Sequence, residues 1–270
     1  MFSCFRVISF IIYYILVKKS TSTSACFFIR CVLEYKKYFK MVFVMTYDRI
    51  VKGKFLSRPN RFIAYVEVDG NEEICHVKNT GRCKELLVPG AHVFVQLSDN
   101  PSRKTKYDLI SVFKGDMLVN MDSQAPNKVF GEWAVNSGFF KDITFLKPEC
   151  KYKNSRFDFY IEADSKKIFV EVKGVTLEND GIVSFPDAPT ERGVKHIKEL
   201  IEAVKDGYEA YVFFIIQMDN CKYFTPAVDK HPEFAKALKE ASQNGVNVVA
   251  LNCKVTPSTL VAKDFVDVSL

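Results

Sequence analysis

The sequence predicts an α/β protein in two parts, a small β-barrel followed by a domain with a mixed sheet. Two observations predict this division. Residues 49–120 contain about five short strands separated by tight turns, whereas residues 121–270 alternate helices with apolar strands. The chain has 270 residues, of which 48% are hydrophobic and 14% are aromatic, so each part has enough apolar side chains for a core.

Alternating apolar residues and turn signals define the barrel. We expect strands at residues 50–56, 61–68, 72–77, 91–97, 107–113 and 117–121. The turns are marked by Asp69-Gly70, Pro89-Gly90 and Gly115-Asp116, and a short helical piece is expected at 82–87. Strands this short, repeated over about 70 residues, are typical of a barrel of the oligonucleotide-binding (OB) type.

Helical spacing and continuous apolar runs define the second part. We expect helices at residues 125–138, 190–205 and 232–243. The runs at 210–217 and 246–251 are apolar throughout and are therefore expected to be strands buried on both faces. Together with the helix at 232–243 they predict a right-handed parallel crossover.

A predicted hairpin carries the residues with the clearest chemistry. Its strands span 155–162 and 167–174, and they contain Asp158, Glu171 and Lys173. Residues i and i+2 of a strand share a face, so Glu171 and Lys173 lie together, and the partner strand could bring Asp158 beside them. Two carboxylates and a lysine at one point are suited to hold Mg²⁺ and to activate a water molecule.

The same hairpin has a plainer interpretation. A Glu-x-Lys pair on a strand is commonly a solvated ion pair. However, the alternation places Tyr160 and Phe169 on the face of Asp158 and Glu171. Charged groups set among aromatic rings are partly desolvated, which favours a functional site. From the residues alone both interpretations stay open.

Basic and aromatic residues occur together in the predicted barrel. One hairpin carries Arg58, Arg61, Phe62 and Tyr65, and a later loop carries Arg103 and Lys104. Barrels of this type bind single strands through cationic grooves and stacking rings. The alternative is that these side chains form the ordinary solvent face of the barrel. The formal net charge of +6 fits a polyanionic partner without requiring one.

The cysteines and histidines do not have the spacing of a zinc site. The eight cysteines are scattered without a Cys-x-x-Cys pair, and the four histidines lie far apart. Scattered cysteines in a chain of this size indicate a reduced, cytoplasmic protein.

Residues 1–44 do not follow the pattern of the rest. An apolar run at 7–17 ends at Lys18-Lys19 and is shorter than the 20 or so residues that span a bilayer. It resembles a signal peptide, but the cysteine pattern argues against export. A membrane-surface anchor is another interpretation. We favour a third, in which translation starts at Met41 or Met45, and we expect no membrane partner.

Five runs together resemble one family, that of sugar fermentation stimulation protein A. They are Asn79-Thr80-Gly81, Leu87-Val88-Pro89-Gly90, the pair Ser155-Arg156-Phe157-Asp158-Phe159 and Val170-Glu171-Val172-Lys173-Gly174-Val175-Thr176-Leu177, and Phe185-Pro186-Asp187-Ala188-Pro189-Thr190-Glu191-Arg192-Gly193-Val194-Lys195-His196. The resemblance covers residues 47–270. The last run is the most specific of the five.

The resemblance implies an OB-like barrel at 45–120 and, at 121–270, an α/β domain similar to PD-(D/E)xK nucleases. It also implies DNA binding and a regulatory part in sugar metabolism. Carried onto this sequence, the nuclease-like set is Glu132, Asp158, Glu171 and Lys173. Phe157 stands where the name of the motif has proline, and this departure weakens the case for cleavage.

In this set Asp158, Glu171 and Glu132 would hold Mg²⁺, and Lys173 would orient or deprotonate the attacking water. The polar face of the following helix offers Arg192, Lys195 and Lys198 to backbone phosphates, although it could equally be a solvated basic face.

Two functions therefore remain. The first is a DNA-binding protein with regulatory output and a structural acidic site, and the second is a Mg²⁺-dependent nuclease. Nothing in the sequence separates single-stranded DNA, double-stranded DNA and RNA, or indicates an oligomeric state.

The first testable prediction concerns residues 1–40. Their deletion should leave the melting temperature of the protein within a few degrees of the full-length value, because terminal segments without packed contacts add little stability. A thermal melt of both proteins checks this. A large loss of stability would show instead that the apolar run packs on the core.

Overall fold

The computed structural model describes residues 44–79, 81–100 and 102–270. The expectations for residues 1–43 therefore lie outside the described residues. Six strands make the first sheet: β2 (Ile50–Asn60), β3 (Ile63–Val68), β4 (Asn71–Val77), β5 (His92–Leu97), β6 (Tyr107–Lys114) and β7 (Met117–Asn120). Their order is β4-β3-β2-β5-β6-β7, and an additional parallel pairing of β4 with β6 closes β2 to β6 into a five-stranded barrel. The predicted barrel is confirmed.

The barrel follows from strand alternation and one tight turn. On β3 the buried residues are Ala64, Val66 and Val68, every second position, and they face the barrel core. The turn to β4 has positive φ at both Asp69 (50°) and Gly70 (77°), which is the requirement of a two-residue type I′ hairpin.

The prediction of a short helix at 82–87 is wrong. The backbone N–H groups of Leu86 and Leu87 both donate to the carbonyl of Cys83, at 3.2 and 2.9 Å, and form a single turn. The turn does not continue because Pro89-Gly90 follows at once, and proline cannot donate a further helical hydrogen bond.

The second sheet is larger and mixed. Its strands are β1 (Met45–Thr46), β8 (Ile143–Tyr152), β9 (Ser155–Ala163), β10 (Lys166–Val175), β11 (Leu177–Asn179), β12 (Ile182–Phe185), β13 (Glu209–Ile216), β14 (Tyr223–Pro226), β15 (Asn247–Thr256) and β16 (Thr259–Val268). The order is β11-β12-β14-β16-β15-β13-β10-β9-β8, with β1 paired to β16. Three helices pack on it: α1 (Ala125–Asn136), α2 (Glu191–Lys205) and α3 (Pro232–Gln243).

The central strands β10, β13 and β15 are parallel, and both faces of β13 are covered. Phe213 and Ile215 lie in one core with the apolar face of α1, whereas Phe214 and Ile216 lie in another with α2 and α3. This explains the continuous apolar run of β13, and the expected parallel arrangement of β13 and β15 around α3 is confirmed.

Several strands were not predicted from the sequence. The long edge strand β8 exposes most of its side chains. The long strand β16 lies inside the sheet but exposes Lys263, Asp264 and Phe265 in succession, and β11, β12 and β14 have only three or four residues each. Such strands carry too little apolar alternation to be recognised. The short β1 lies in the segment assigned to the barrel, yet it pairs with β16 of the larger sheet.

A buried polar cluster joins the barrel to the larger sheet. The amide of Gln217, just after β13, donates to the carbonyl and side-chain oxygens of Asn120 at 3.1 and 2.9 Å, and to the carbonyl of Asp122 at 3.0 Å. Tyr47 donates to the carboxylate of Asp122 at 3.3 Å. Residues 43–270 form one compact unit. The domain boundary at 120/121 stays a prediction.

Within the described ranges, none of the helices combines the length and the apolar character needed to cross a bilayer. All five cysteines of this part of the chain are free: Cys75, Cys83, Cys150, Cys221 and Cys253.

Candidate functional site

A cavity of about 1200 Å³ lies between the barrel and the larger sheet. The barrel side contributes Arg61, Arg82 and Lys84, and the sheet side contributes Asp158 and Glu171. Further lining residues include Arg58, Asn127, Lys173, Asp187, Arg192 and Gln217. The cavity is therefore built from both parts of the chain.

The floor of the cavity lies where β9 separates from β10. Their antiparallel ladder ends at the pair Val170 and Phe159, while β10 stays paired with β13 as far as Val175. At the separation a carboxylate oxygen of Asp158 accepts the N–H of Val172 at 2.8 Å. The side chain thus takes the backbone donor that the ladder no longer uses, which fixes the carboxylate at the fork.

The helix α1 fixes the other oxygen of Asp158. The side-chain amide of Asn127 donates to Oδ1 at 2.9 Å. Asn127 lies in the first turn of the helix, directly after Pro126, and Pro126 approaches Gly174 on β10. A Cβ on Gly174 would lie 2.7 Å from Cγ of Pro126 and 2.5 Å from Oε1 of Gln217. Only glycine leaves room for this close approach.

Glu171 is the most buried acidic group of the site, with 3% of its surface exposed. Its Oε1 accepts hydrogen bonds from Nζ of Lys173 and from Nδ1 of His196, the latter at 2.7 Å. Its Oε2 is buried, and no donor from the described residues forms a hydrogen bond with it. A buried carboxylate oxygen without a donor is costly, so an unpartnered oxygen at this point marks a place for a cation.

The pKa values of the two carboxyl groups are shifted in opposite directions. Burial and then the neighbouring charge of Glu171 raise the pKa of Asp158, against the opposing effect of the Val172 N–H. Burial also acts to raise the pKa of Glu171, but the Lys173 ammonium and the His196 N–H outweigh it, so this pKa lies below its ordinary value. The charge of Asp158 is thus compensated less completely than that of Glu171.

The rim of the cavity is basic. Arg61, Arg82 and Lys84 are exposed on the barrel side, and Arg192 is exposed at the start of α2. Within the described ranges none of these four cations forms an ion pair with an acidic side chain. Their charges are therefore available to an anion that enters the cavity.

Arg58 has a different role from the one expected. Its guanidinium donates to the backbone carbonyls of Asn79, Arg61 and Arg82 at 2.7, 2.8 and 2.8 Å. It lines the cavity, but its donors hold the loop that presents the rim cations. Asp187 holds the same loop from the sheet side, since its carboxylate accepts the backbone N–H of Arg82 and contacts the position where a Cβ of Gly81 would stand.

Glu132 does not join the other carboxylates. It does not line the cavity, and its carboxylate accepts a hydrogen bond from the backbone of Met45. Burial raises its pKa. Asn127 and Glu132 are five residues apart, which places them about 140° apart around a helix. The face of α1 that contacts the site therefore carries the amide of Asn127, and the carboxylate of Glu132 that was expected there lies on another face.

Four other predicted residues lie away from the cavity: Phe62, Tyr65, Arg103 and Lys104. Arg103 is bound to the buried carboxylate of Asp108, with contacts of 2.6 and 3.1 Å. Phe62 is 52% exposed beside Arg61, whose guanidinium carbon lies 5.9 Å from the ring centre. Phe62 is thus near the rim, whereas Arg103 is part of the barrel structure.

The three predicted cations of α2 separate in the same way. Arg192 lines the main cavity and also a smaller one of about 530 Å³. Lys195 lines only the smaller of these two cavities and donates to the carbonyl of Asn154 at 3.2 Å. Lys198 is exposed further along the helix. The start of α2 is fixed by Thr190, whose hydroxyl accepts the N–H of Gly193 at 3.1 Å.

Sequence reasoning missed Asn127, His196 and Gln217. Gln217 follows the carboxyl end of a buried parallel strand, the edge of an α/β sheet where ligands generally bind, and this signal was available. His196 lies within the most specific run of the sequence, at i+4 from Arg192. Asn127 had no signal, because the rotation of α1 is set by packing.

The residues present fit a divalent cation of the oxygen-binding kind. Among the described residues no group of three His, Cys, Asp or Glu side chains is arranged to hold a metal. Magnesium, however, is commonly bound through one or two carboxylates, with water and substrate phosphate completing its shell. Asp158 and the free Oε2 of Glu171 supply such a pair.

We predict that Asp158→Asn stabilises the protein when no divalent cation is present. Because folding raises the pKa of Asp158, ionisation of this group costs stability at all pH values above its unfolded pKa. In EDTA at pH 7 the melting temperature should rise by about 2–4 °C, the shift that ~1 kcal/mol gives in a protein of this size. The gain should shrink as the pH falls towards 4.

The matched control is Asp142→Asn, at an exposed carboxylate in the turn before β8. It should leave the melting temperature unchanged at both pH values. A lower melting temperature for Asp158→Asn at pH 7 would show that its hydrogen bonds to Val172 and Asn127 outweigh the cost of its charge.

Comparison with known proteins gives the family of the chain. Residues 56–121 match the SfsA N-terminal OB domain, and residues 124–259 match the sugar fermentation stimulation protein RE domain. A sugar fermentation stimulation protein homolog of Clostridium beijerinckii is 63% identical over 226 residues, which are 84% of this chain and 100% of that protein. A homolog of Desulfitobacterium hafniense is 61% identical, over 84% of this chain and 99% of that protein.

A solved structure agrees with these matches. The structure of Pyrococcus furiosus SfsA in complex with Ca²⁺ superposes with a TM-score of 0.77 at 29% identity, over 84% of this chain and 99% of that one. The expected architecture, an OB barrel followed by a mixed-sheet α/β domain, is confirmed. The chain belongs to the sugar fermentation stimulation protein family.

Proposed function

We propose that this protein binds nucleic acid in the cavity between barrel and sheet and hydrolyses a phosphodiester bond there with a bound divalent cation. One observation carries the proposal. The buried, unpartnered Oε2 of Glu171 lies with Asp158 and Lys173 on the floor of a cavity whose rim is basic. This arrangement offers one place for a cation and several for phosphates.

The charges of the floor support a need for the cation. Asp158 and Glu171 carry two negative charges against the single positive charge of Lys173, so the floor is negative by one. A phosphate diester that approached it alone would be repelled. A divalent cation, when bound, would neutralise charge on the scissile phosphate and activate a water as nucleophile.

The side chains of the floor have separate tasks. Val172 and Asn127 hold Asp158 in one orientation, and Lys173 and His196 hold Glu171. The Lys173 ammonium lies on the same edge of the sheet, where it can orient a water molecule or interact with the charge that develops on the phosphate.

The relative from Pyrococcus furiosus supports the binding of a divalent cation in this family. Its structure is described as a complex with Ca²⁺. Calcium and magnesium are both hard cations with oxygen ligands, and they differ mainly in size and in the rigidity of their shells. We therefore extend the proposal to Mg²⁺ or Mn²⁺ as the working cation of this chain.

The barrel supports nucleic acid as the substrate. OB barrels bind single strands through cationic grooves. Here the barrel contributes Arg61, Arg82 and Lys84 to the same cavity that holds the acidic floor. A strand gripped by these cations would pass over Asp158 and Glu171. DNA is the substrate that we propose, and RNA is tested beside it.

A second candidate is a DNA-binding protein that does not cleave and has the regulatory part in sugar metabolism that the family resemblance implies. One observation favours it. The position on α1 that faces the site carries Asn127, so the third acidic ligand of the nuclease-like set is missing. In this case the cation would hold the fork together without catalysis.

We predict cation-dependent cleavage of DNA by the wild type. Incubation of single-stranded and double-stranded DNA and of RNA with Mg²⁺, Mn²⁺ or EDTA, followed by a gel, distinguishes the two candidates. Asp158→Ala and Lys173→Ala should each reduce cleavage by about 10²–10³-fold while leaving most of the binding intact. Glu132→Gln should cleave normally, because Glu132 lies outside the cavity. Binding without any cleavage would leave the second candidate.

We predict that the rim cations set the affinity for DNA. Arg61→Ala and Lys84→Ala should weaken binding to all sequences, and each should reduce the slope of log K against log salt by about 0.9, the value for one lost phosphate contact. Lys239→Ala on α3, an exposed lysine outside the cavity, is the control and should change neither quantity. Affinity that does not depend on salt would contradict phosphate contacts altogether.

A further inference from the structure

His196 lies beneath the acidic floor and is itself 4% exposed. It belongs to α2, and its ring meets Phe157 edge-on with centres 6.2 Å apart. Its Nδ1 lies 2.7 Å from Oε1 of Glu171. Another histidine–carboxylate contact, between His76 and Asp108, is longer, at 3.3 Å. His196 therefore contacts a group of the site without lining the main cavity.

Arg192 settles which nitrogen of this ring carries the proton. Nε of Arg192 lies 3.4 Å from Nε2 of His196. A guanidinium nitrogen can only donate, so Nε2 must be the acceptor. The proton is then on Nδ1, and Nδ1 donates to Oε1 of Glu171. Three side chains thus form a chain of hydrogen bonds with a single direction, from Arg192 through His196 to Glu171.

The consequence falls on the two oxygens of Glu171. Oε1 receives both the His196 N–H and the Lys173 ammonium, whereas Oε2 receives no donor from the part of the chain that the structure describes. Lys173 alone would not keep this distinction, because its flexible four-carbon side chain can follow either oxygen. The imidazole is held rigidly in the core and donates from one direction only. It fixes the rotation of the carboxylate group.

We propose that His196 is a positioning residue that reserves Oε2 of Glu171 for the divalent cation, and that Arg192 fixes its tautomer. The inference rests on the proposed function, since it assigns a residue to the cation site of that function. Outer partners that orient metal ligands typically contribute 10–100-fold to metal affinity. The exposed Arg192 also lines the main cavity, so one side chain borders the proposed phosphate path and contacts the residue that orients the cation ligand.

The test compares two substitutions of His196 by cation affinity alone. Asn places its amide nitrogen near the position of Nδ1 and so keeps the donor, whereas Leu keeps the bulk and removes it. Isothermal titration of the full chain with Mn²⁺ and with Ca²⁺, without nucleic acid, gives the dissociation constants. We expect His196→Leu to bind 10–100-fold more weakly and His196→Asn to stay within about threefold of the wild type.

A control and a second variant keep the test decisive. His76→Leu removes another histidine–carboxylate contact, with Asp108 at 3.3 Å, outside the main cavity, and should leave cation affinity unchanged. If His196→Leu does not fold, as judged by its thermal melt, His196→Gln replaces it, because the longer amide cannot place its donor at the Nδ1 position. It should then bind the cations at least 10-fold more weakly than His196→Asn.

Two results would overturn this inference and leave the proposed cation-dependent function standing. One is wild-type affinity in His196→Leu or, in its place, His196→Gln. The other is equal weakening in the Asn variant and the donor-free variant, which would show that the ring acts only through packing. A wild-type protein that binds neither Mn²⁺ nor Ca²⁺ would overturn the inference together with the cation-dependent function on which it rests.

Discussion

The hydrogen bond from the Val172 N–H to Asp158 is the contact on which the site depends. A sheet normally satisfies such a donor with the neighbouring strand. Here the pairing of β9 with β10 ends at Phe159. The carboxylate of the preceding residue, Asp158, accepts the Val172 N–H in place of a carbonyl of the neighbouring strand. The strands can separate at this point without leaving a backbone group unpaired. The separation opens the floor of the cavity, and the same bond fixes the carboxylate that lies there.

The electrostatic arrangement follows from this fork. Glu171 lies on the strand that continues, buried among apolar neighbours, and it stays ionised because Lys173 and His196 both donate to one oxygen. Asp158 accepts hydrogen bonds from the Val172 N–H and the Asn127 amide, and these bonds together with the charge of Lys173 do not outweigh burial and the charge of Glu171, so the pKa of Asp158 is raised. The burial and mutual repulsion of these two charges therefore destabilise the protein, and a bound cation would remove part of this unfavourable free energy. Sites of this kind trade stability for binding, which is expected where a protein acts on a ligand.

The sequence predicted the parts of the site that depend on local pattern. The hairpin of Asp158 and Glu171 was placed to within one residue at each strand end, because alternation and a polar turn define it. Glu132 was placed on the correct helix but on the wrong face. Local pattern fixes that a segment is helical, whereas its rotation against the sheet is set by packing between residues far apart in sequence. The role of His196 was missed for the same reason, since 25 residues separate it from Glu171.

The contact between Gly81 and Asp187 has an evolutionary consequence. A loop of the barrel closes against a loop that follows β12, and there is no space for a side chain at Gly81. Three of the four rim cations belong to the barrel, whereas Arg192 and the acidic floor belong to the second part of the chain. The two halves are therefore not interchangeable units. An exchange of the barrel for that of an unrelated protein would remove the cavity residues that the barrel contributes and the contact between Gly81 and Asp187. Substitutions in one loop can persist only when the other loop accommodates them, so the two segments must change together.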